Sequence, residues 1–145
     1  MIFQNASGTQ AGYVQWTGTT TSYVTSSDYR LKENVQPMLN ALATVTQLKP
    51  CTYTWKVDGS DGQGFIAHEL QAVVPDAVVG EKDAVNEDGS IKPQGIDTSF
   101  LVATLTAAIQ ELKAINDTQA QAINAQQAAL TTLTERITAL EGAQA

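Results

Sequence analysis

"DTSFLVATLTAAIQELKAINDTQAQAINAQQAALTTLTERITALEG", residues 97–142, decides the architecture of this chain. The seam steps by three and four through Val102, Leu105, Ile109, Leu112, Asn116, Gln119, Ile123, Gln126, Leu130, Leu133, Ile137 and Leu140, and nine of these twelve positions are apolar. A stripe only two positions wide per heptad marks a coiled-coil seam, because a globular helix buries a broader face. Asp97 is placed to cap its start and Gly142 to end it. The alternative is one long helix folded against its own domain. Asn116, Gln119 and Gln126 cluster mid-helix, where polar seam residues select register and strand number at a cost in stability. Ile and Val at a with Leu at d lean towards a dimer. "RITALE", Arg136–Glu141, argues otherwise, since it looks like the short trimer-specifying signature of coiled coils. There Arg136 at g reaches Glu141 at e of the neighbouring chain while its stem covers the seam. A parallel homotrimer is the expectation.

Working towards the N-terminus, residues 27–96 carry mixed helix and strand signals. In "PMLNALATVTQL" Met38, Leu39, Leu42, Val45 and Leu48 fall at helical spacing, with Pro37 suited to a first helical position and Pro50 stopping the run. "CTYTWKV" alternates like a strand, "DGSDGQG" breaks it, and "HELQAVVP" reads as a short helix closed by Pro75. In "VNEDGSI", Asp88 and Gly89 suit a two-residue hairpin turn with positive φ. Residues 1–26 are rich in Thr, Ser and Gly, with short apolar runs between turn formers. Such a strand-and-turn segment is too small to bury a core alone, so it is expected to end a larger β structure, with Met1 not its natural beginning. The fold class predicted is α+β, in three parts: 1–26 the end of a β-rich stalk, 27–96 a small mixed domain, and 97–145 a coiled-coil helix.

Composition narrows the function. With 145 residues, 43% hydrophobic, the chain can bury one modest core. A formal net charge of -7 disfavours nucleic acid, whose binding is won by Lys and Arg displacing counterions. No stretch reaches the ~20 apolar residues of a membrane helix and no basic-then-apolar leader opens the chain. It therefore reads as soluble, with no membrane insertion and no export signal of its own. Single residues of Cys and His, Cys51 and His68, give no disulfide framework or zinc spacing. "DGSDG", Asp58–Gly62, lacks the spaced ligands and closing Glu of an established calcium loop. No metal or cofactor is expected.

One cluster carries chemistry: "TSSDYRLKENV", residues 25–35. Ser27 and Lys32 can form a dyad in which a neutral amine takes the hydroxyl proton as the oxygen attacks a carbonyl. A lysine pKa of about 10.4 must fall for this, through burial or a nearby positive charge. Arg30 is such a charge, opposed by Asp28 and Glu33. Five residues apart, the two side chains lie on opposite faces of a strand and well off one helical stripe. Either a turn between them or a partner chain supplying one member is required. The plainer reading makes Asp28 a helix cap and Lys32 a solvated charge.

The order of the pieces adds weight. "SSDYRLKENV", "GFIAHELQAVVPDAV" and "GIDTSFLVATLTAAIQEL" together resemble the C-terminal intramolecular chaperone and auto-processing domain of phage tailspikes, tail fibres and endosialidases. The resemblance covers residues 27 to about 115 by motif and extends to 141 by architecture. It implies a Ser-Asp-x-Arg-x-Lys core with catalytic Ser27 and Lys32, flanked by Asp28 and Arg30, and a "GFIAHE" segment near the dyad that makes Asn34 and Glu69 orienting groups. It further implies a domain that trimerises, helps an upstream β-rich fibre of the same chain to fold in the bacterial host cytoplasm, and then cuts itself off from the virion fibre. Where the family often carries an aromatic after the Asp of its last motif, this chain has Thr98. Attack by Ser27 on the Ser26 carbonyl passes through a five-membered ring, which favours the Ser26–Ser27 bond; Ser27–Asp28 is the alternative if another group or water attacks. The competing function is a non-enzymatic trimerisation or receptor-binding tip of a fibre.

Overall fold

The Thr- and Gly-rich start of the chain folds as an antiparallel meander of β1 (Ile2–Gln4), β2 (Gln10–Trp16) and β3 (Thr21–Thr25). Thr17 and Thr20 close the second turn backbone to backbone, and Asn5 organises the first by accepting N–H bonds from Ser7 and Thr9. The computed structural model describes residues 1–143 in two units, Met1–Pro37 and Met38 onward. In the first unit no apolar side chain is buried, and Trp16 and Tyr23 stand 75% and 82% exposed. A three-stranded sheet with no covering layer has nothing to bury them against.

The second unit is the α+β part. Helix α1 (Ala41–Val45) leads to the hairpin β4 (Cys51–Thr54) and β5 (Asp61–Gly64), then α2 (Ala67–Gln71). A 3-10 turn at Pro75–Ala77 precedes β6 (Val78–Val79), which pairs antiparallel with β7 (Gly95–Ile96), and α3 (Phe100–Gly142) ends the fold. The core is small: Leu70, Ala77, Val78 and Leu101 are buried, with Leu48, Phe65, Ala67, Val74 and Ile96 packed around them. Among the described residues no helix is long and apolar enough to cross a membrane.

Three local expectations need correction. The helix expected from Pro37 through Leu48 is a single short one, because Asn40 takes a left-handed conformation at φ 59° and leaves Met38 and Leu39 outside. "DGSDGQG" does not simply break the strand: after the turn at Trp55–Ser60, Asp61–Gly64 returns as β5. Gly62 belongs there because a Cβ would sit 2.6 Å from the Tyr53 ring on β4. In "VNEDGSI" the loop has three residues, not two. Asn86 pairs with Ser90 across Glu87, Asp88 and Gly89, and only Gly89, at φ 81°, is left-handed. That is a type I turn followed by a left-handed glycine, which lets Asp88 keep an ordinary φ and cap Ser90 instead.

The long helix follows its sequence closely. Asp97 accepts the Ser99 N–H at 2.9 Å, a leading turn bonds Leu101 to Thr98, and the helix ends at Gly142. Its 43 residues span roughly 64 Å at 1.5 Å per residue. Among the described residues, burial of α3 stops at Glu111. Leu101 and Ala108 are buried, and Thr104, Ala107 and Glu111 are half-buried. The seam lies one residue on, about 100° around the helix, and Val102, Leu105, Ile109 and Leu112 remain exposed.

Candidate active site

The site begins where the sheet ends. Ser26 continues the β3 ladder, its N–H donating to the Ala11 carbonyl and its hydroxyl to the Gln10 carbonyl, so the residue before Ser27 is held on β2. The chain then turns. Asp28 is the N-cap of a 3-10 turn over Tyr29–Leu31, and the Leu31 and Lys32 N–H groups close it on the Asp28 and Tyr29 carbonyls. A residue at the N-cap accepts an orphan N–H of the first turn, which is why Asp suits the position.

This turn resolves the spacing problem within one chain. It reverses the backbone between the two candidate residues, and Lys32 Nζ donates to Ser27 Oγ at 2.7 Å. The same separation serves transfer in the opposite direction once the amine is neutral. Both residues are exposed in the single chain. Burial under a second surface is the ordinary way to make a lysine give up its proton.

The neighbouring charges are mutually engaged. Asp28 Oδ1 accepts the Arg30 backbone N–H and Nε, both at 2.9 Å, and Oδ2 accepts Nη2 at 2.7 Å. The Arg30 side chain, and after it the Arg30 N–H, holds the Asp28 carboxyl below the usual carboxylate range; in return Asp28 raises the guanidinium. The positive field that Arg30 offers Lys32 is thus offset by the carboxylate in its grip. Asn34 sits shortly after with a left-handed backbone at φ 53°. Glu69, on α2 in the second unit, pairs with Lys49 at 3.3 Å. His68 is exposed on the same helix, and Cys51 is a free, half-buried thiol on β4. In the acidic turn, Asp58 caps Ser60 and Asp61 accepts from Thr54.

Sequence reasoning missed one residue. Glu111 of α3 reaches across to α1, its two carboxylate oxygens accepting the Ala41 and Leu42 N–H groups at 2.9 and 2.8 Å. It thereby caps a helix whose own N-cap, Asn40, makes no side-chain cap bond. No local signal announces this, since the partners are about 70 positions apart.

No curated protein matches the chain. Residues 27–79, the stretch that opens on Ser27 and stops short of α3, match the model of a peptidase family described as the chaperone of endosialidase, consistent with a C-terminal intramolecular chaperone domain.

Proposed function

We propose that this chain is a trimerising intramolecular chaperone of a phage tail fibre or tailspike, which releases itself by Ser-Lys autoproteolysis beside Ser27. The observation that carries the reading is the 2.7 Å contact between Lys32 Nζ and Ser27 Oγ, closed by a turn inside the matched family segment. In this division residues 1–26 are the fibre end that stays, 27–96 the chaperone domain and 97–145 the trimerisation helix. The exposed seam on α3 supports assembly, because its apolar a and d residues remain 41–67% exposed.

The chemistry is a single turnover. Neutral Lys32 takes the proton as Ser27 Oγ attacks the Ser26 carbonyl carbon, and the Ser27 nitrogen leaves with a proton returned from Lys32. The C–N bond is exchanged for an ester between Ser26 and the Ser27 side chain, with a free amine on Ser27. Water then hydrolyses the ester, leaving a Ser26 carboxylate and restoring the hydroxyl. Assembly supplies the buried surroundings that the amine needs. Three chains forming a β fibre face slow, non-local pairing, and a coiled coil raises their effective concentration from one end. Cutting the helper away afterwards closes the reverse route, a kinetic form of stability.

Freshly expressed protein run beside Ser27→Ala and Lys32→Ala, with mass spectrometry of the fragments, tests this. The expectation is a new N-terminus at Ser27 in the wild type, intact but still trimeric chains in both variants, and at least a ~100-fold loss of rate without the base. Unchanged cleavage in both variants rules the dyad out.

A further inference from the structure

We propose that Asp28 is the positioning residue of the dyad, and that it acts through its cap on the 3-10 turn rather than through its ion pair with Arg30. The inference rests on the dyad reading above. Ser27 and Lys32 flank a turn of only three residues, Tyr29–Leu31, so their contact depends on that turn being closed. Two backbone bonds close it, Leu31 N–H to Asp28 O and Lys32 N–H to Tyr29 O, both 3.1 Å long. Two bonds of 3-10 geometry in one isolated turn hold weakly by themselves. The Asp28 side chain adds the shorter bond, 2.9 Å from the Arg30 N–H, at the position where the turn has an orphan donor.

The ion pair is built differently. Its side chains are 73% and 38% exposed, and a pair in that setting is screened by solvent and contributes little. What the guanidinium does add is alignment: by taking Nε on the same Oδ1 that accepts the backbone N–H, it orients the carboxylate for its cap. Lys32 emerges from the last bond of the turn, so loosening the cap swings its amine away from Ser27 without touching either catalytic group.

The two jobs of one carboxylate separate by substitution. Asp28→Asn keeps an acceptor oxygen at the same reach and removes the charge, whereas Asp28→Glu keeps the charge and takes the acceptor out of capping range. The measurement is the first-order rate at which full-length chain gives the Ser27 N-terminus, beside oligomeric state by sedimentation. Asp28→Ala and Asp28→Glu are expected to slow cleavage roughly fivefold, the rate equivalent of a lost cap. Asp28→Asn restores most of the rate, and Arg30→Gln slows cleavage less than Asp28→Ala does. Asp28→Ala at the wild-type rate overturns the proposal, as does Asp28→Glu cleaving faster than Asp28→Asn; that second comparison holds even where Asp28→Ala does not assemble. Failure of the underlying dyad reading is distinguishable, since it shows as cleavage that persists in Ser27→Ala, and it overturns both.

Discussion

The two stretches of α3 carry the same seam yet live in different surroundings. From Phe100 to Glu111 the helix leans on its own domain through Leu101 and Ala108, while from Leu112 to Gly142 every residue is exposed. In that second stretch Ile115 is the only large apolar residue off the seam. A helix without tertiary packing is marginal in water, and most helical stability comes from an apolar face that finds a partner. The first stretch therefore belongs to the domain, and the second waits for a surface that its own chain does not provide. Two apolar stripes, side by side on one helix, divide the work.

The sharpest way to break that comparison is to charge the second stretch. In the proposed trimer, Leu133→Asp would place a carboxylate from every chain in one layer of the seam, where an uncompensated buried charge costs roughly 3–5 kcal/mol. Sedimentation is expected to show loss of the trimer, and circular dichroism a fall in helix content, with the domain around Leu70 still folded. A trimer that survives would show that the seam is not the interface.

A smaller effect is expected from Glu111, which tests the first stretch. Glu111→Ala leaves the Ala41 and Leu42 N–H groups without their charged acceptor, and losing hydrogen bonds to a charged group costs about 1.5–3 kcal/mol. Thermal unfolding of the domain should move down while the oligomeric state is unchanged.

Smaller again is the change at the polar centre. Gln119→Leu with Gln126→Leu replaces carboxamides with the residue preferred at d, so the coil should melt higher, by about 1 kcal/mol or more per chain. The same change weakens the register signal, leaving Asn116 as its one polar seam residue, and cross-linking at ends labelled one by one should then report slipped or mixed assemblies. A coil that melts lower, in one register, contradicts the seam assignment.

The smallest effect is electrostatic. The folded carboxyls of Asp28 and Asp97 are held low, Asp28 first by the Arg30 side chain and Asp97 first by the Ser99 side chain. A depressed folded pKa gives stability that is present above the unfolded value of about 3.9 and is lost as pH falls through the folded one. Acid weakening should therefore be confined to the region below about pH 4. By NMR titration, Arg30→Gln is expected to raise the Asp28 midpoint and leave that of Asp97 where it was.

Much of this protein was legible before any coordinates, and the reason differs by element. The long helix and its end at Gly142 follow from periodicity and local termination signals, whereas Asp97 closes the turn before Ser99, the residue at the N-cap. The hairpin at Cys51–Gly64 was only half legible, because Asp-Gly-rich sequence marks a turn strongly and a strand poorly; the second strand is stabilised by pairing with the first and by the Tyr53 ring over Gly62. The shortening of α1 was not legible at all. Its apolar spacing promised more turns than the left-handed Asn40 permits.

The chain's own order of residues determined the apolar stripe along α3, the dyad candidates and the α+β class, because each rests on spacing along the backbone or on a contiguous motif. Tertiary structure alone decided that α3 offers one stripe to its domain and keeps the next one exposed, and that Glu111 caps α1 from about 70 residues away. These depend on where the backbone turns and on what lies across space from it, and neither is encoded in any single window of sequence.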